Sequence, residues 1–129
     1  MEQTPSLMIL IAGPYRSGTG DDPVKIEANV HRMEQAALEV YQKGHVPIMG
    51  EWLALPLIRL AGSTEVGDEA FTEYFHPAAI RLLEKCDAVL RIGGPSLGAD
   101  EMIRTAQENG KFIFLHPADI PEVPVLLPC

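Results

Sequence analysis

The sequence predicts an α/β domain built on a doubly wound parallel sheet of four to five strands with helices on both faces. Three observations carry that expectation. Unbroken apolar runs of strand length recur along the chain, as in strands covered on both faces. Longer segments with apolar residues at helical spacing lie between them. Strand and helix alternate as β-α-β-α-β-α-β, the pattern of right-handed parallel crossovers.

Each element follows from local chemistry. Leu7–Ala12 is the first apolar run, ended by Gly13-Pro14, and such a strand belongs inside a parallel sheet. Gly13–Asp22 is a loop of Gly, Pro, Ser and Thr, after which Asp22-Pro23 offers an N-cap with proline at the first helical position. Ile26, Val30, Met33, Ala37, Val40 and Tyr41 keep helical spacing until Gly44 closes the helix. His45–Met49 is a second short strand. Glu51–Ala61 is apolar but carries Pro56, which predicts a short or broken helix, and Gly62–Asp68 is a polar loop. A long helix is expected from about Glu69 to Lys85, with Phe71, Phe75, Ala79, Leu82 and Leu83 toward the core and a kink or restart at Pro77. Ala88–Ile92 is the third strand, Gly93–Gly98 a turn, Ala99–Glu108 a helix closed by Asn109-Gly110, and Phe112–Leu115 the fourth strand. Met1–Ser6 reads as a loose lead-in. The tail 117–129, with Pro117, Pro121, Pro124 and Pro128, reads as an extended strap or a partner-contacting segment.

A chain of 129 residues, 47% apolar, is long enough for one domain with its own core, and no repeat or linker divides it. Eighteen acidic against ten basic residues give a formal charge of −8. The basic stripe of a duplex-binding protein is missing, so polymeric nucleic acid is not expected as a partner. A small phosphorylated ligand stays open, because it needs only a few N–H groups and a cation or two. Cys86 and Cys129 lie far apart with no Cys or His at ligand spacing, which gives neither a disulfide framework nor a zinc site. His31, His45, His76 and His116 form no ligand spacing either, so no metal or cofactor is expected. His31 reads as a solvated helix residue, and the other three as loop residues. Leu7–Ala12 is too short to span a membrane and follows Glu2 rather than a Lys/Arg cluster, so a cytoplasmic protein without a membrane partner is expected.

In an open α/β sheet, ligands bind beyond the carboxyl ends of the strands, where strand order reverses. Two loops lie at such ends. Gly13, four residues and Gly18-Thr19 have the outline of a P-loop, but the lysine between Gly18 and Thr19 is missing, and neither loop holds a G-x-G-x-x-G. The first loop offers one cation, Arg16, the hydroxyls of Ser17 and Thr19, and backbone N–H groups, which suit a single phosphate or carboxylate. An ordinary surface turn with a solvated arginine has the same composition. In the second loop, Ser96 and Gly98 stand just before a helix N-terminus that favours an anion, with Asp100 and Glu101 in its first turn. Carboxylates held ionised there suit a nucleophile; they equally suit a plain offset of the helix dipole. Tyr15 and Trp52 have the side chains to stack on a base, or to fill core or interface.

Three motifs occur in a telling order: Ile11-Ala12-Gly13-Pro14-Tyr15-Arg16 after the first strand, Cys86-Asp87-Ala88-Val89-Leu90 at the third, and Ser96-Leu97-Gly98-Ala99-Asp100-Glu101 followed by Gly110-Lys111. Together they resemble the nucleoside 2-deoxyribosyltransferase superfamily, most of all its small DUF4406-type branch, over roughly Met8 to Leu115. The resemblance implies a flavodoxin-like fold and cleavage or transfer at the N-glycosidic bond of a 2-deoxynucleoside or its 5′-monophosphate. It makes Glu101 the nucleophile at C1′ and Asp87 a supporting carboxylate for the leaving base. Gly13, Arg16, Ser96 and Gly98 line the sugar or phosphate end, with Tyr15 and Ser17 beside them. An anion against C1′ suits an oxocarbenium-like transition state and can trap the sugar covalently. The family's Glu stands four residues after the loop glycine; here that place is Met102, and Asp100 and Glu101 fall at plus two and plus three. One helical position is a rotation of about 100°. Arg91, at the end of the third strand, is a further cation for a phosphate, or a partner for Asp87 or Glu101. The family completes its site with a neighbouring subunit, and Trp52–Leu60 is a large apolar stretch, so a homo-oligomer is expected. Two other functions stay open: a nucleotide-binding module without catalysis, and, less well matched, a nucleoside-monophosphate phosphoribohydrolase.

Overall fold

β1 (Met8–Ala12) is the hub of the sheet. In the computed structural model, which describes residues 5–124, it pairs in parallel with β2 (Val46–Met49) on one edge and β3 (Ala88–Arg91) on the other; β4 (Phe112–Phe114) pairs in parallel with β3. The result is a four-stranded, all-parallel sheet of order β2-β1-β3-β4. Ile9, Leu10 and Ile11 are each at most 1% exposed. Both faces of the strand are covered, which is why its sequence shows no polar alternation. The first four residues of the lead-in, and 125–129 with the end of the tail and Cys129, lie outside the described residues.

The crossovers decide which face each helix covers. α1 (Pro23–Gln42) joins β1 to β2; α2 (Gly50–Leu60) and α3 (Glu69–Glu84) carry the chain back past β1 to β3; α4 (Leu97–Glu108) joins β3 to β4. A right-handed crossover that reverses its direction of travel changes face. Accordingly Met33, Ala37 and Val40 of α1 pack with Ile9, Ile11 and Leu90 on one face. Leu83 of α3 and Met102 and Ala106 of α4 pack with Leu10, Ala12 and Val89 on the other. This is the expected α/β architecture, with helices around a doubly wound sheet.

Side-chain caps set the helix starts. Asp22 accepts from the Val24 N–H at 3.0 Å, and Ser96 from the Ala99 N–H at 3.2 Å. The second cap starts α4 at Leu97, ahead of the Ala99 expected from the sequence. Pro56 and Pro77 sit inside single helices rather than breaking them. Both prolines are exposed, so the carbonyls that lose an N–H partner reach water. α2 buries Ala54 and Ile58 and leaves Leu53, Leu57 and Leu60 on the surface. Among the described residues no helix is long and apolar enough to cross a membrane.

The described part of the tail is a strap. After a 3₁₀ turn at Pro117–Asp119, Ile120 enters the core on the α1 face. Lys43 Nζ donates to the carbonyls of Pro117 (2.5 Å) and Ile120 (3.2 Å), and the Val123 N–H donates to the Lys43 carbonyl at 2.7 Å. His45 stands just before β2 in the connecting loop, yet it is only 3% exposed. Its Nδ1 accepts from the Leu7 N–H (3.0 Å) and its Nε2 faces the Pro121 carbonyl (2.6 Å), so the partners assign the neutral tautomer with the proton on Nε2. One ring thus ties the start of β1, the start of β2 and the strap. Replacing His45 by Ala leaves the Leu7 N–H and the Pro121 carbonyl without this partner, and stability should fall by about 2 kcal/mol. Urea unfolding reads this as a lower midpoint at constant slope; an unmoved midpoint contradicts the staple.

Candidate functional site

From β1 the chain moves first to β2 and later to β3 and β4, so strand order reverses between β1 and β3. The crevice at that switch point is where an open α/β sheet binds ligands. A cavity of about 240 Å³ lies there, lined by the β1–α1 loop, the first turns of α2 and α4, and α3. It brings together Gly13, Tyr15, Arg16 and Ser17 from one predicted loop with Ser96 and Gly98 from the other. Gly50 is what allows α2 to start so close to α3, since a Cβ there would stand 2.8 Å from the Ala79 Cβ.

An aromatic cluster forms part of the wall. Phe71 and Phe75 stack at 4.5 Å between centroids with an 11° tilt, and Tyr15 lies 5.0 Å from Phe75. Burial pushes the Tyr15 hydroxyl above its ordinary pKa, with the Glu51 charge adding to the effect. Arg16 is exposed but not free. Its Nε and Nη2 grip both oxygens of Asp21 at 2.9 Å, and its guanidinium carbon stands 5.4 Å from the centre of the Phe71 ring. Gly67 packs against it at φ +85°, where a Cβ would fall 2.6 Å from Nη2. The loop that carries Gly67 is organised by Asp68, which accepts from the N–H groups of Phe71, Thr64 and Glu65 and from the Ser63 hydroxyl. Those bonds, led by the one from Phe71, bring its carboxyl down to about 2.

The residue that sequence reasoning missed is Glu51. It opens α2 at the carboxyl end of β2, lines the cavity and is 8% exposed. Its Oε2 has no hydrogen-bond partner. Burial pushes its carboxyl up to about 7, and a hydrogen bond from its own backbone N–H offsets only part of that. A lone carboxylate directly after a strand and before an apolar helix was the available signal. His76 also lines the cavity, although its place before Pro77 suggested a loop. Its Nε2 is buried 3.1 Å from Oε2 of Glu101, at an angle too oblique for a hydrogen bond.

The expected carboxylates stand elsewhere. Glu101 is half exposed and meets the site only through His76, while Asp100 turns to Arg91, whose Nε and Nη2 both lie 3.2 Å from its Oδ1. Arg91 also donates to the carbonyls of Gly94, at 2.9 Å, and Ile92. Its partner is therefore Asp100, rather than Asp87 or Glu101, and its guanidinium holds the β3–α4 turn. Asp87 is not in the cleft. It precedes β3 at the amino end of the sheet, where Oδ2 accepts from the Met8 N–H at 2.8 Å; the cavity lies a strand length away, about 13 Å. Trp52 is on the surface, with its indole N–H 3.3 Å from Glu34 Oε2. Among the described residues no group of three or more His, Cys, Asp or Glu is placed to hold a metal ion.

Glu51 makes stability depend on pH. Its carboxyl titrates near 7 in the folded chain against an ordinary value of 4.5, so the folded state keeps a proton that the unfolded state gives up between those values. Stability is then lost as pH rises through that window. Glu51→Gln removes the effect, and its advantage over the wild type should grow by about 2–3 kcal/mol between pH 5 and pH 8.5. Urea unfolding at the two pH values measures it; an advantage that does not change with pH means that Glu51 ionises freely. No protein-family model matches the chain, and no curated protein matches it either.

Proposed function

We propose that the protein cleaves or transfers at the N-glycosidic bond of a 2-deoxynucleoside or its 5′-monophosphate, with Glu51 handing a proton to the departing base. The observation that carries this reading is a buried, unpartnered carboxyl in an aromatic-walled cavity at the switch point of the sheet. At about 240 Å³ the cavity falls below the roughly 300–1,000 Å³ usual for ligand clefts, a size for a small ligand rather than a dinucleotide. An acid poised near neutral pH suits a poor leaving group that must be protonated as it leaves.

In this reading the C1′–N bond breaks and its electron pair goes to the base, which takes the Glu51 proton. A carboxylate meets the developing positive charge at C1′. Glu101 is nearer that task than Asp100, because it has only to exchange the oblique contact with His76, whereas Asp100 is held by Arg91. Water or an acceptor base then displaces the carboxylate and returns a proton to Glu51. Ser17 and Arg16, with the first turn of α4, face the phosphate or the far side of the sugar.

One observation favours a second reading, a nucleotide-binding module without turnover: neither Asp100 nor Glu101 lines the cavity. The two readings separate when the protein is incubated with 2′-deoxynucleosides and their 5′-monophosphates, with and without an acceptor base, and free base is followed by chromatography. Release or exchange should occur in the wild type, weaken as pH rises above about 7, and fall about 10²–10⁴-fold in Glu51→Gln. Release unchanged by that substitution removes Glu51 from the chemistry, and binding without release establishes the module. Self-association through Leu53, Leu57 and Leu60 belongs to the same proposal, and a single-protomer mass by light scattering at micromolar concentration rejects it.

A further inference from the structure

The chemistry of the ligand's inner end follows from what surrounds Oε2 of Glu51. Its own backbone N–H is the one hydrogen-bond donor found for the carboxyl, and Oε2 accepts none. Much of the wall of the cavity that Glu51 lines is hydrocarbon and aromatic, including Leu10, Phe71, Phe75, Ala79 and Met102. The cation among the lining residues, Arg16, is already paired through both nitrogens with Asp21. Tyr15 and Arg16 line the cavity with Glu51 from the β1–α1 loop and His76 from α3, while Arg59 of α2 acts on the Tyr15 hydroxyl. None of these donates a hydrogen bond to Oε2.

A buried carboxyl with one free oxygen has two ways to satisfy it. It can stay ionised and take a cation or an N–H donor, or stay protonated and donate to an acceptor. The first requires two charges, or a charge and its donor, to leave water for an apolar wall, a desolvation that the pair recovers only in part. The second brings in a neutral ring and leaves no buried charge. A neutral aza-aromatic ring also matches the wall, whereas a ligand cation would enter beside the guanidinium that Phe71 already carries.

We infer that the cavity selects a neutral aza-aromatic base, bound through a ring-nitrogen acceptor that takes a hydrogen bond from protonated Oε2 of Glu51, so that the ligand enters together with a proton. This rests on the reading of the cavity as a nucleoside site and adds which chemical face of the base it takes. The raised carboxyl of Glu51 agrees with it, since about half of the free protein carries the required proton at neutral pH.

The test uses two probes of similar size that lack a glycosidic bond: 9-methyladenine, neutral with ring-nitrogen acceptors, and benzamidine, a cation. Titration calorimetry on the full chain should show 9-methyladenine binding about 30-fold more weakly at pH 8.5 than at pH 6, as the protonated fraction of Glu51 falls. Glu51→Gln, whose amide is a permanent donor, should keep the affinity seen at low pH and lose the pH dependence. A His76→Gln variant should keep the pH dependence, which separates the two groups. The inference is overturned if benzamidine binds instead and tightens with pH, if Glu51→Gln abolishes binding of 9-methyladenine, or if neither probe binds. Should Glu51→Gln fail to fold, the opposite pH trends of the two probes on the wild type still decide. Binding of 9-methyladenine as described with no release of base from nucleosides sinks the glycosidic reading alone; turnover with pH-independent binding sinks the present inference alone.

Discussion

The burial of β1 on both faces and both edges is the constraint from which the rest of the molecule follows. A strand so enclosed must be apolar at every position from Ile9 to Ala12, and its hydrogen bonds must all go to its two parallel neighbours. The register then places Ile11 opposite both Met49 and Leu90, so β1, β2 and β3 end at one level. Three chain exits, at Gly13, Gly50 and Ile92, are thereby delivered side by side. None of these positions is independent of the strand: moving β1 by one residue would turn its side chains over and shift all three exits at once.

That arrangement explains how a carboxylate comes to be buried at the start of α2. Glu51 directly follows the Gly50 contact with Ala79, and where α2 comes so close to α3 its side chain is left only 8% exposed. In most proteins such a glutamate would be paired or would have been replaced. Here it is compensated by keeping its proton, and the free energy that ionisation would require is held in the fold rather than relieved by a partner. A destabilising, unpartnered group retained at the switch point in the wall of a cavity fits a site better than a core, because a core position would be served by glutamine or leucine at lower cost.

Much of the fold was legible because it depends on local chemistry. The strands announce themselves as short apolar runs, and Asp22-Pro23 and Ser96 start helices by capping, which needs only neighbours in sequence. A short or broken helix at Pro56 and a kink or restart at Pro77 are as far as the sequence goes; that both helices run on through their prolines depends on whether the orphaned carbonyl faces water, and that is a tertiary fact. The candidate site divides along the same line. Gly13, Tyr15, Arg16, Ser96 and Gly98 were found because loops at the carboxyl ends of strands can be located from strand order alone. Glu51 and His76 were not, since their importance comes from helix α3 closing over the sheet. Asp87 is the opposite case: it precedes its strand, so strand direction alone already places it at the far end, and the motif had outweighed that geometry. The bridging role of His45 in its loop was not legible because its two partners, Leu7 and Pro121, are distant in sequence.

The charge arrangement around the cavity bears on how a ligand of the proposed kind would enter. Arg16 and Arg91 each hold an aspartate on the protein's own surface, and the chain carries a formal charge of −8. Neither arginine therefore presents an open positive field that would draw an anion from a distance. The Arg16–Asp21 pair is nonetheless partly exposed, and exposed pairs contribute little net stability, so a ligand phosphate that replaces Asp21 loses little by the exchange. Meanwhile the Phe71 ring and Gly67 keep the guanidinium in place whichever anion it holds. In the proposed reading, affinity for the anionic end of a ligand would arise as a late exchange of one acceptor for another rather than as steering. On the same reading, discrimination would fall to the apolar, acid-tipped inner end, where the difference between a ring that satisfies Glu51 and one that does not is a buried hydrogen bond made or left unmade.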